Sequence, residues 1–148
     1  MGTYETLNEV LVKLFRDIND LEQKAIINQE FGNLTNNDMH VINAIGVGTT
    51  KNMSSIAKEL SVTVGTLTIS MNSLVKKGYV TRCRSMQDRR VVHISLSEKG
   101  VKAYYHHKHF HEQMIQGVVE VLTEEELQAL IKALTKLNSW FRSFDKDE

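Results

Sequence analysis

Positively charged side chains concentrate in one stretch of the chain, between Lys76 and Lys102. Eight lysines and arginines lie there beside two acidic residues, although the whole chain has a formal net charge of zero. A local basic patch can attract a polyanion such as a phosphate backbone even when the protein is neutral overall. The eight are Lys76, Lys77, Arg82, Arg84, Arg89, Arg90, Lys99 and Lys102.

Two short helices and a hairpin are predicted to position this patch. Asn52 is a candidate N-cap for a helix over residues 53–60, and Thr63 for a second helix over 64–77 that Gly78 ends. Apolar and β-branched residues then predict strands over 79–84 and 90–96, with a hairpin tip at 85–88. Two helices joined by a tight turn and followed by a β-wing make a winged helix-turn-helix, which is a DNA-binding arrangement.

The second helix is predicted to enter the major groove with few charged groups. It contains no lysine, arginine or glutamine before Lys76, so it lacks the usual bidentate reader of guanine. Threonine methyls and aliphatic side chains suit thymine methyl groups, so we expect an operator of double-stranded DNA that is rich in A·T pairs. A dimeric reader would need two such half-sites, which would make the operator pseudo-palindromic. The candidate contacts are Thr63, Val64, Gly65, Thr66, Thr68 and Ile69.

The hairpin tip carries the residues predicted to hold the minor groove. Arg90 is the candidate for insertion there, with Asp88 orienting its guanidinium, because a narrow A·T minor groove attracts arginine. Arg89 is placed on the opposite side of an alternating strand and is expected to meet phosphate. A solvated turn is the alternative interpretation of these two arginines. Further candidate phosphate contacts are Lys76, Lys77, Arg82 and Arg84.

Long amphipathic helices on both sides of this region predict a homodimer. Leucines and isoleucines recur at heptad-like spacing near the N-terminus and again over 127–141. Packing within the chain is the alternative, but a DNA reader usually needs two half-sites. We therefore expect one domain over 1–148, mainly α with a small β-wing. Residues 35–100 would form the winged helix-turn-helix lobe, and 4–30 and 101–145 the dimerisation helices.

These motifs resemble the MarR family of bacterial transcription regulators along essentially the whole chain. The resemblance lies in S-I-A-K-E-L at 55–60, L-V-K-K-G-Y-V at 74–80, the wing segment R-x-x-x-D-x-R at 84–90 and L-S-x-x-G at 96–100. It implies an obligate MarR-type homodimer, with winged-helix lobes that bind DNA and terminal helices that form the dimer interface.

Within that family the chain is most similar to the fatty-acid-biosynthesis repressors of Gram-positive cocci, the FabT type. The matching segments are V-T-x-G-T-x-T at 62–68, R-S-x-x-D-R-R-V-V-H at 84–93 and H-K-H-F-H at 107–111. This similarity implies repression of membrane-lipid synthesis genes, with a long-chain acyl-acyl carrier protein as co-repressor. It also implies an apolar tunnel for the acyl chain. Candidate lining residues, each of which could equally be ordinary core, are Phe15, Ile18, Phe31, Met39, Ile42, Phe110 and Met114.

A group of histidines offers an alternative effector, a transition metal. His107 and His111 are four residues apart on one predicted helix face, and with His40 they could bind zinc, as zinc-sensing MarR relatives do. The thiolate and carboxylate partners of those sensors have no obvious counterpart, so ordinary helix histidines are the leading interpretation and no metal site is assigned. Cys83, on a predicted strand, is interpreted as a buried hydrophobe rather than a redox sensor.

Other classes of protein lack support in the sequence. No Gly-rich phosphate loop, nucleophile elbow or paired catalytic carboxylate motif occurs, so we do not expect an enzyme. No apolar run is long enough to span a membrane, and the first residues do not form a secretory signal. A cytoplasmic protein without a resident cofactor is therefore expected.

Overall fold

A computed structural model describes residues 2–26 and 30–144 of the chain. Within these ranges there are six helices and two strands, including the predicted pair of short helices followed by a hairpin. They are α1 (Thr3–Ile26), α2 (Asn36–Ile45), α3 (Met53–Leu60), α4 (Val64–Lys77), β1 (Val80–Arg84), β2 (Val92–Leu96), α5 (Glu98–Val121) and α6 (Glu124–Phe144). The mainly helical class with a small β-wing is confirmed. The parts of the predicted ranges at 1, 27–29 and 145–148 lie outside the described residues.

Local capping fixes the starts of the helices that precede the wing. Thr35 Oγ1 accepts from the Asp38 amide at 3.1 Å, and Asp38 Oδ2 accepts from the Thr35 amide at 3.1 Å, which completes a capping box on α2. Asn52 Oδ1 accepts from the Ser55 amide at 2.8 Å at the start of α3. These bonds satisfy amides that a helix start otherwise leaves open, so short sequence segments determine the boundaries.

The wing is an antiparallel pair of strands whose register runs from Val80 opposite Leu96 to Arg84 opposite Val92. Both strands are shorter than predicted, since residues 79, 90 and 91 lie outside them. Lys51, in the segment before α3, forms an antiparallel bridge with Ile94 through backbone bonds of 2.9 and 2.7 Å. This bridge fixes the base of the wing to the helix-turn-helix.

The chain divides into two compact units, Met1–Phe110 and His111–Glu148. In the first unit the end of α1, α2, α3, α4, both strands and the start of α5 enclose one apolar core. This core holds α4 in place, because the helix contributes its whole inner face to it. Its members are Ile26, Phe31, Leu34, Met39, Val41, Ile42, Ala44, Ile45, Ile56, Ala57, Leu67, Met71, Leu74, Tyr79, Val80, Ile94 and Ala103.

In the second unit α6 begins with a capping box and leaves its apolar residues uncovered. Thr123 Oγ1 accepts from the Glu126 amide at 3.2 Å, and Glu126 Oε1 accepts from the Thr123 amide at 3.0 Å. Two hydrogen bonds with Thr123 hold the pKa of Glu126 below its ordinary value. The bond from the Thr123 backbone has the larger effect and the bond with its side chain the smaller. None of the residues of α6 is buried within the chain. Among the described residues, no helix is both long enough and apolar enough to cross a membrane.

Candidate nucleic-acid interface

Helix α4 is anchored by one face and presents the other to solvent. Leu67, Met71 and Leu74 are buried in the core. On the opposite face Val64 is exposed and Ile69 is 75% exposed, so both apolar side chains are available to a partner. Gly78 ends the helix in the left-handed conformation, so the predicted second helix over 64–77 is confirmed.

The threonine hydroxyls of α4 are partly committed to the helix itself. Thr63 Oγ1 accepts from the Thr66 amide at 3.1 Å and donates to Thr66 Oγ1 at 2.9 Å. Thr68 Oγ1 donates to the Val64 carbonyl at 2.7 Å. Because two of the three hydroxyl protons are used within the helix, this surface offers mainly hydroxyl acceptors and methyl groups to a partner.

Gly65 leaves a bare stretch of backbone on the exposed face of α4. A Cβ built at this position would meet Thr63 Oγ1 at 3.9 Å, which is an ordinary contact. The fold therefore has room for a side chain there, and helix propensity would favour alanine. A glycine that packing does not require is consistent with close approach of the helix backbone to a ligand.

The turn between the two strands holds Arg90 on a local scaffold. Ser85 Oγ accepts from the amides of Gln87 at 3.2 Å and Asp88 at 3.3 Å. Asp88 Oδ1 accepts from the Arg90 amide at 3.1 Å and from its Nε at 3.2 Å, while Oδ2 accepts from Nη2 at 3.5 Å. The Arg90 side chain is 92% exposed, so the predicted Asp88–Arg90 pair orients a guanidinium that stands in solvent.

Arg89 does not lie on a strand, so the predicted reason for its direction was wrong. Residues 89 and 90 form a turn, and β2 begins only at Val92. The side chain of Asp88 bonds to the backbone two residues on, which stabilises a turn in preference to the strand. Arg89 is nevertheless exposed, and its carbonyl accepts from Arg84 Nη1 at 3.3 Å.

Lys77 binds neighbouring groups of the protein, which disfavours its predicted contact with phosphate. Its ammonium donates to Asp38 Oδ2 at 3.0 Å and to the Asn33 carbonyl at 2.8 Å. Asp38 is buried, and the Tyr79 hydroxyl donates to Asn33 Oδ1 at 2.7 Å. The network joins the start of α2 to the end of α4, whereas Lys76 is exposed and suits the predicted role.

Arg82 and Arg84 line a cavity of about 430 Å³ beside α4. Arg82 Nη1 donates to Asn72 Oδ1 at 2.5 Å, and Asn72 is absent from the residues predicted from sequence. It follows Thr68 by four residues, so extending the exposed face of α4 by one turn would have found it. The residues around the cavity are Met53, Thr68, Arg82, Arg84 and Val92.

Close packing of α5 on the base of the wing explains the L-S-x-x-G segment. Ser97 Oγ donates to the Gly78 carbonyl at 2.5 Å and accepts from the Gly100 amide at 3.1 Å. A Cβ at Gly100 would collide with the Tyr79 carbonyl oxygen and lie 3.2 Å from Leu96 Cβ. Glycine is therefore required for α5 to begin against the base of the wing.

The residues predicted to line an acyl tunnel occupy different environments. Phe31, Met39 and Ile42 belong to the buried core, whereas Phe15 is 59% exposed. The described contacts do not test whether these side chains share one tunnel, so the acyl pocket stays a prediction. The remaining three, each half-buried, are Ile18, Phe110 and Met114.

His40 does not join the other candidate metal ligands. His107 is buried in α5, and a ring nitrogen lies within 4.8 Å of a carboxylate oxygen of Glu22, a buried residue of α1 that the sequence did not single out. Among the described residues, the group of possible metal donors that contains Glu22 and His107 does not include His40. His40 is exposed and lines a separate small cavity with residues of α3 and α4. The set of His40, His107 and His111 is therefore corrected.

Cys83 is exposed rather than buried. In β1 only Val80 is buried, because a two-stranded wing projects from the core and has little beyond its base to pack against. The expectation of a buried hydrophobe at Cys83 was wrong for that reason.

Comparison of the sequence identifies the family. The family model described as transcriptional regulator SarA/Rot matches residues 24–105, more than half of the chain. The helix-turn-helix transcriptional regulator YwhA of Bacillus subtilis is 30% identical over 131 residues, which is 88% of this chain and 91% of that protein. The chain therefore belongs to the SarA/Rot family of transcriptional regulators.

Solved structures agree with the fold and with the predicted resemblance. Streptococcus pneumoniae FabT, solved in complex with DNA, aligns with a TM-score of 0.89 at 37% identity and covers 95% of this chain and 99% of that chain. The MarR family transcription regulator SP03579 aligns with a TM-score of 0.80 at 14% identity, over 98% of this chain and 93% of that chain, and shows the fold alone. The MarR-type winged-helix fold and the similarity to FabT are confirmed; the relatives are transcriptional regulators, which are not enzymes.

Proposed function

We propose that this protein is a transcriptional repressor that binds double-stranded DNA with α4 in the major groove and the wing in the neighbouring minor groove. One observation carries the proposal: the outer face of α4 and the Arg90 guanidinium, held by Asp88, are both exposed on one lobe. A helix fits the major groove, and an arginine is favoured in a narrow minor groove. The similarity to FabT, which was solved with DNA, supports the same assignment. A regulator of chromosomal genes works in the cytoplasm.

The chemistry of α4 favours an operator rich in A·T pairs. Val64 and Ile69 present apolar groups, and the threonines present methyls beside acceptor oxygens. Thymine methyls match the apolar groups, and the adenine amino group is a donor for a hydroxyl acceptor. Guanine offers two acceptors in the major groove, and the first turns of α4 carry no lysine or arginine to donate to both of them.

A homodimer is the second part of the proposal, because the apolar residues that the two units leave exposed need cover. In α1 they include Leu7, Leu14 and Leu21, each about half exposed or more. A two-fold dimer would also give two equivalent reading helices and hence a pseudo-palindromic site. In the second unit the exposed residues are Ile115, Val119, Val121, Leu130, Ile131, Leu134, Leu137, Trp140, Phe141 and Phe144.

Selection of binding sites from a pool of random duplexes tests the DNA-binding proposal. We expect the full-length protein to enrich a pseudo-palindrome whose half-sites are rich in A·T pairs. A consensus rich in G·C pairs would overturn the reading of α4, and enrichment of no consensus would overturn the proposed function.

Control of membrane-lipid synthesis genes, with a long-chain acyl-acyl carrier protein as co-repressor, is the finer part of the proposal. It rests on the similarity to FabT over nearly the whole of both chains and on the apolar side chains predicted to hold an acyl chain. A band-shift assay on the upstream DNA of lipid-synthesis genes should show stronger binding when the acylated carrier protein is added. Equal binding with acylated and unacylated carrier would reject the co-repressor while leaving DNA binding intact.

A further inference from the structure

A cationic cleft separates the reading helix from the wing. Thr68 of α4 lies on one side, Arg82 and Arg84 of β1 on the other, and the enclosed space is about 430 Å³. Arg82 and Arg84 are two residues apart on a strand, so their side chains leave the same face of the wing. No acidic side chain is among the residues that line the cleft in the described part of the chain.

Asn72 of α4, one turn after Thr68, bonds to one of these arginines. Its Oδ1 accepts from Arg82 Nη1 at 2.5 Å, and both residues are exposed. A guanidinium carries several N–H donors in a rigid plane, so the bond to Asn72 restricts its orientation while other donors remain for an anion. Arg84 is steadied separately, because its Nη1 donates to the Arg89 carbonyl at 3.3 Å.

The geometry of a duplex supplies the anion. When a helix lies in the major groove and a wing in the adjacent minor groove, the sugar-phosphate strand that divides the two grooves must pass between them. We propose that the cleft binds a backbone phosphate of that strand through Arg82 and Arg84, and that Asn72 is the positioning residue that presents Arg82 to it. This inference rests on the proposed function, and it assigns Asn72 a role through Arg82 rather than a contact of its own.

Direct reading of a base by Asn72 is the competing role. An asparagine that recognises adenine uses its amide oxygen to accept from the adenine amino group and its NH₂ to donate to N7. In the structure that oxygen already accepts a short, charge-assisted bond from Arg82. Because Asn72 Oδ1 is already bonded to Arg82, the structure favours a role for Asn72 in positioning Arg82 over a role in reading adenine.

A double-mutant cycle separates the two roles. Fluorescence anisotropy would measure the affinity of the full-length protein, Asn72→Ala, Arg82→Ala and the double variant for the selected operator and for an unrelated duplex of equal length. At moderate salt we expect about a tenfold loss for Arg82→Ala and about a threefold loss for Asn72→Ala, equal on both duplexes because phosphate contacts carry no sequence information. The double variant should match Arg82→Ala alone.

The dependence of affinity on salt gives a readout that a purely structural role would not change. Loss of one phosphate contact in Arg82→Ala should lower the slope of log K against log salt by about one. Asn72→Ala should lower it by a smaller amount, and Asn72→Ala in the Arg82→Ala background should leave it unchanged. Alanine is a better helix former than asparagine, so the substitution on the exposed face of α4 should not destabilise the fold.

Asn37→Ala is the matched control. Like Asn72, Asn37 is an exposed asparagine that bonds to a neighbouring element, since its Nδ2 donates to Ser70 Oγ of α4 at 3.2 Å. Asn37→Ala should leave affinity and salt slope at the wild-type values. Additive losses in the cycle, or a loss confined to the selected operator, would overturn the positioning role. Wild-type protein that binds neither duplex would overturn the proposed function together with this inference.

Discussion

Replacing Arg90 by alanine is expected to weaken operator binding without weakening the fold. The Arg90 side chain is 92% exposed, and its described partner is Asp88 of the same turn, so its removal uncovers no core. An arginine that reaches into a groove contributes about 1–3 kcal/mol, which corresponds to a loss of roughly 5- to 150-fold in affinity. Met86→Ala is the control, because Met86 is fully exposed at the same hairpin tip and carries no charge.

Asp88→Asn tests the orienting contact separately. The asparagine keeps an oxygen for the Arg90 amide, which the Asp88 carboxylate now holds at 3.1 Å, but it loses the ionic part of the contact with the guanidinium. Because the pair is exposed, that part is worth about 0.2–1 kcal/mol, or a loss of up to about fivefold in affinity. The expected order of loss is Arg90→Ala first, Asp88→Asn second and Met86→Ala unchanged.

Fluorescence anisotropy on the selected operator would measure these affinities at moderate salt, with circular dichroism melting curves to confirm equal stability. Unchanged affinity in Arg90→Ala would refute the assignment of the wing. A loss in Asp88→Asn that equals or exceeds the loss in Arg90→Ala would refute the orienting role of the carboxylate.

Four further substitutions separate DNA contacts from fold contacts. Gly65→Ala should keep or slightly raise the melting temperature, because its Cβ has room, yet weaken operator binding; unchanged binding would contradict close approach of the backbone. Gly100→Ala should lower the free energy of unfolding by about 2 kcal/mol or more in denaturant titrations, since its Cβ strikes a backbone carbonyl; a wild-type value would contradict the packing of α5. Lys77→Met should cost about 2 kcal/mol of stability by stranding buried Asp38, with no change in the salt slope of DNA binding, while Lys76→Met should lower that slope and spare stability.

Local chemistry made the helix boundaries predictable. Thr35, Asn52 and Thr63 each bond to an amide three residues ahead, so the starts of α2, α3 and α4 depend on short segments alone. Gly78 ends α4 for an equally local reason, its left-handed backbone conformation. The order of the elements then followed, and with it the winged helix-turn-helix.

The errors came from partners that are distant in sequence or from competing local bonds. In sequence Lys77 resembles its exposed neighbour Lys76, but the ammonium of Lys77 forms an ion pair with Asp38, which is 39 residues away. Asn72 has its partner on another element: β1 lies beside α4 and brings Arg82 within hydrogen-bond distance of Asn72. Arg89 was placed on a strand because the residues that follow it have high β-propensity. The side-chain bond of Asp88 to the Arg90 amide competes with that propensity and stabilises a turn instead.

The central claim is sequence-selective binding of duplex DNA through α4 and the wing. Its most direct test compares the affinity of the full-length protein for the selected operator and for a shuffled duplex of the same composition, over a range of salt concentrations. We expect the operator to bind about a thousandfold or more tightly than the shuffled duplex, and both affinities to fall steeply as salt rises. Equal affinity for the two duplexes, or binding that does not depend on salt, would contradict the claim.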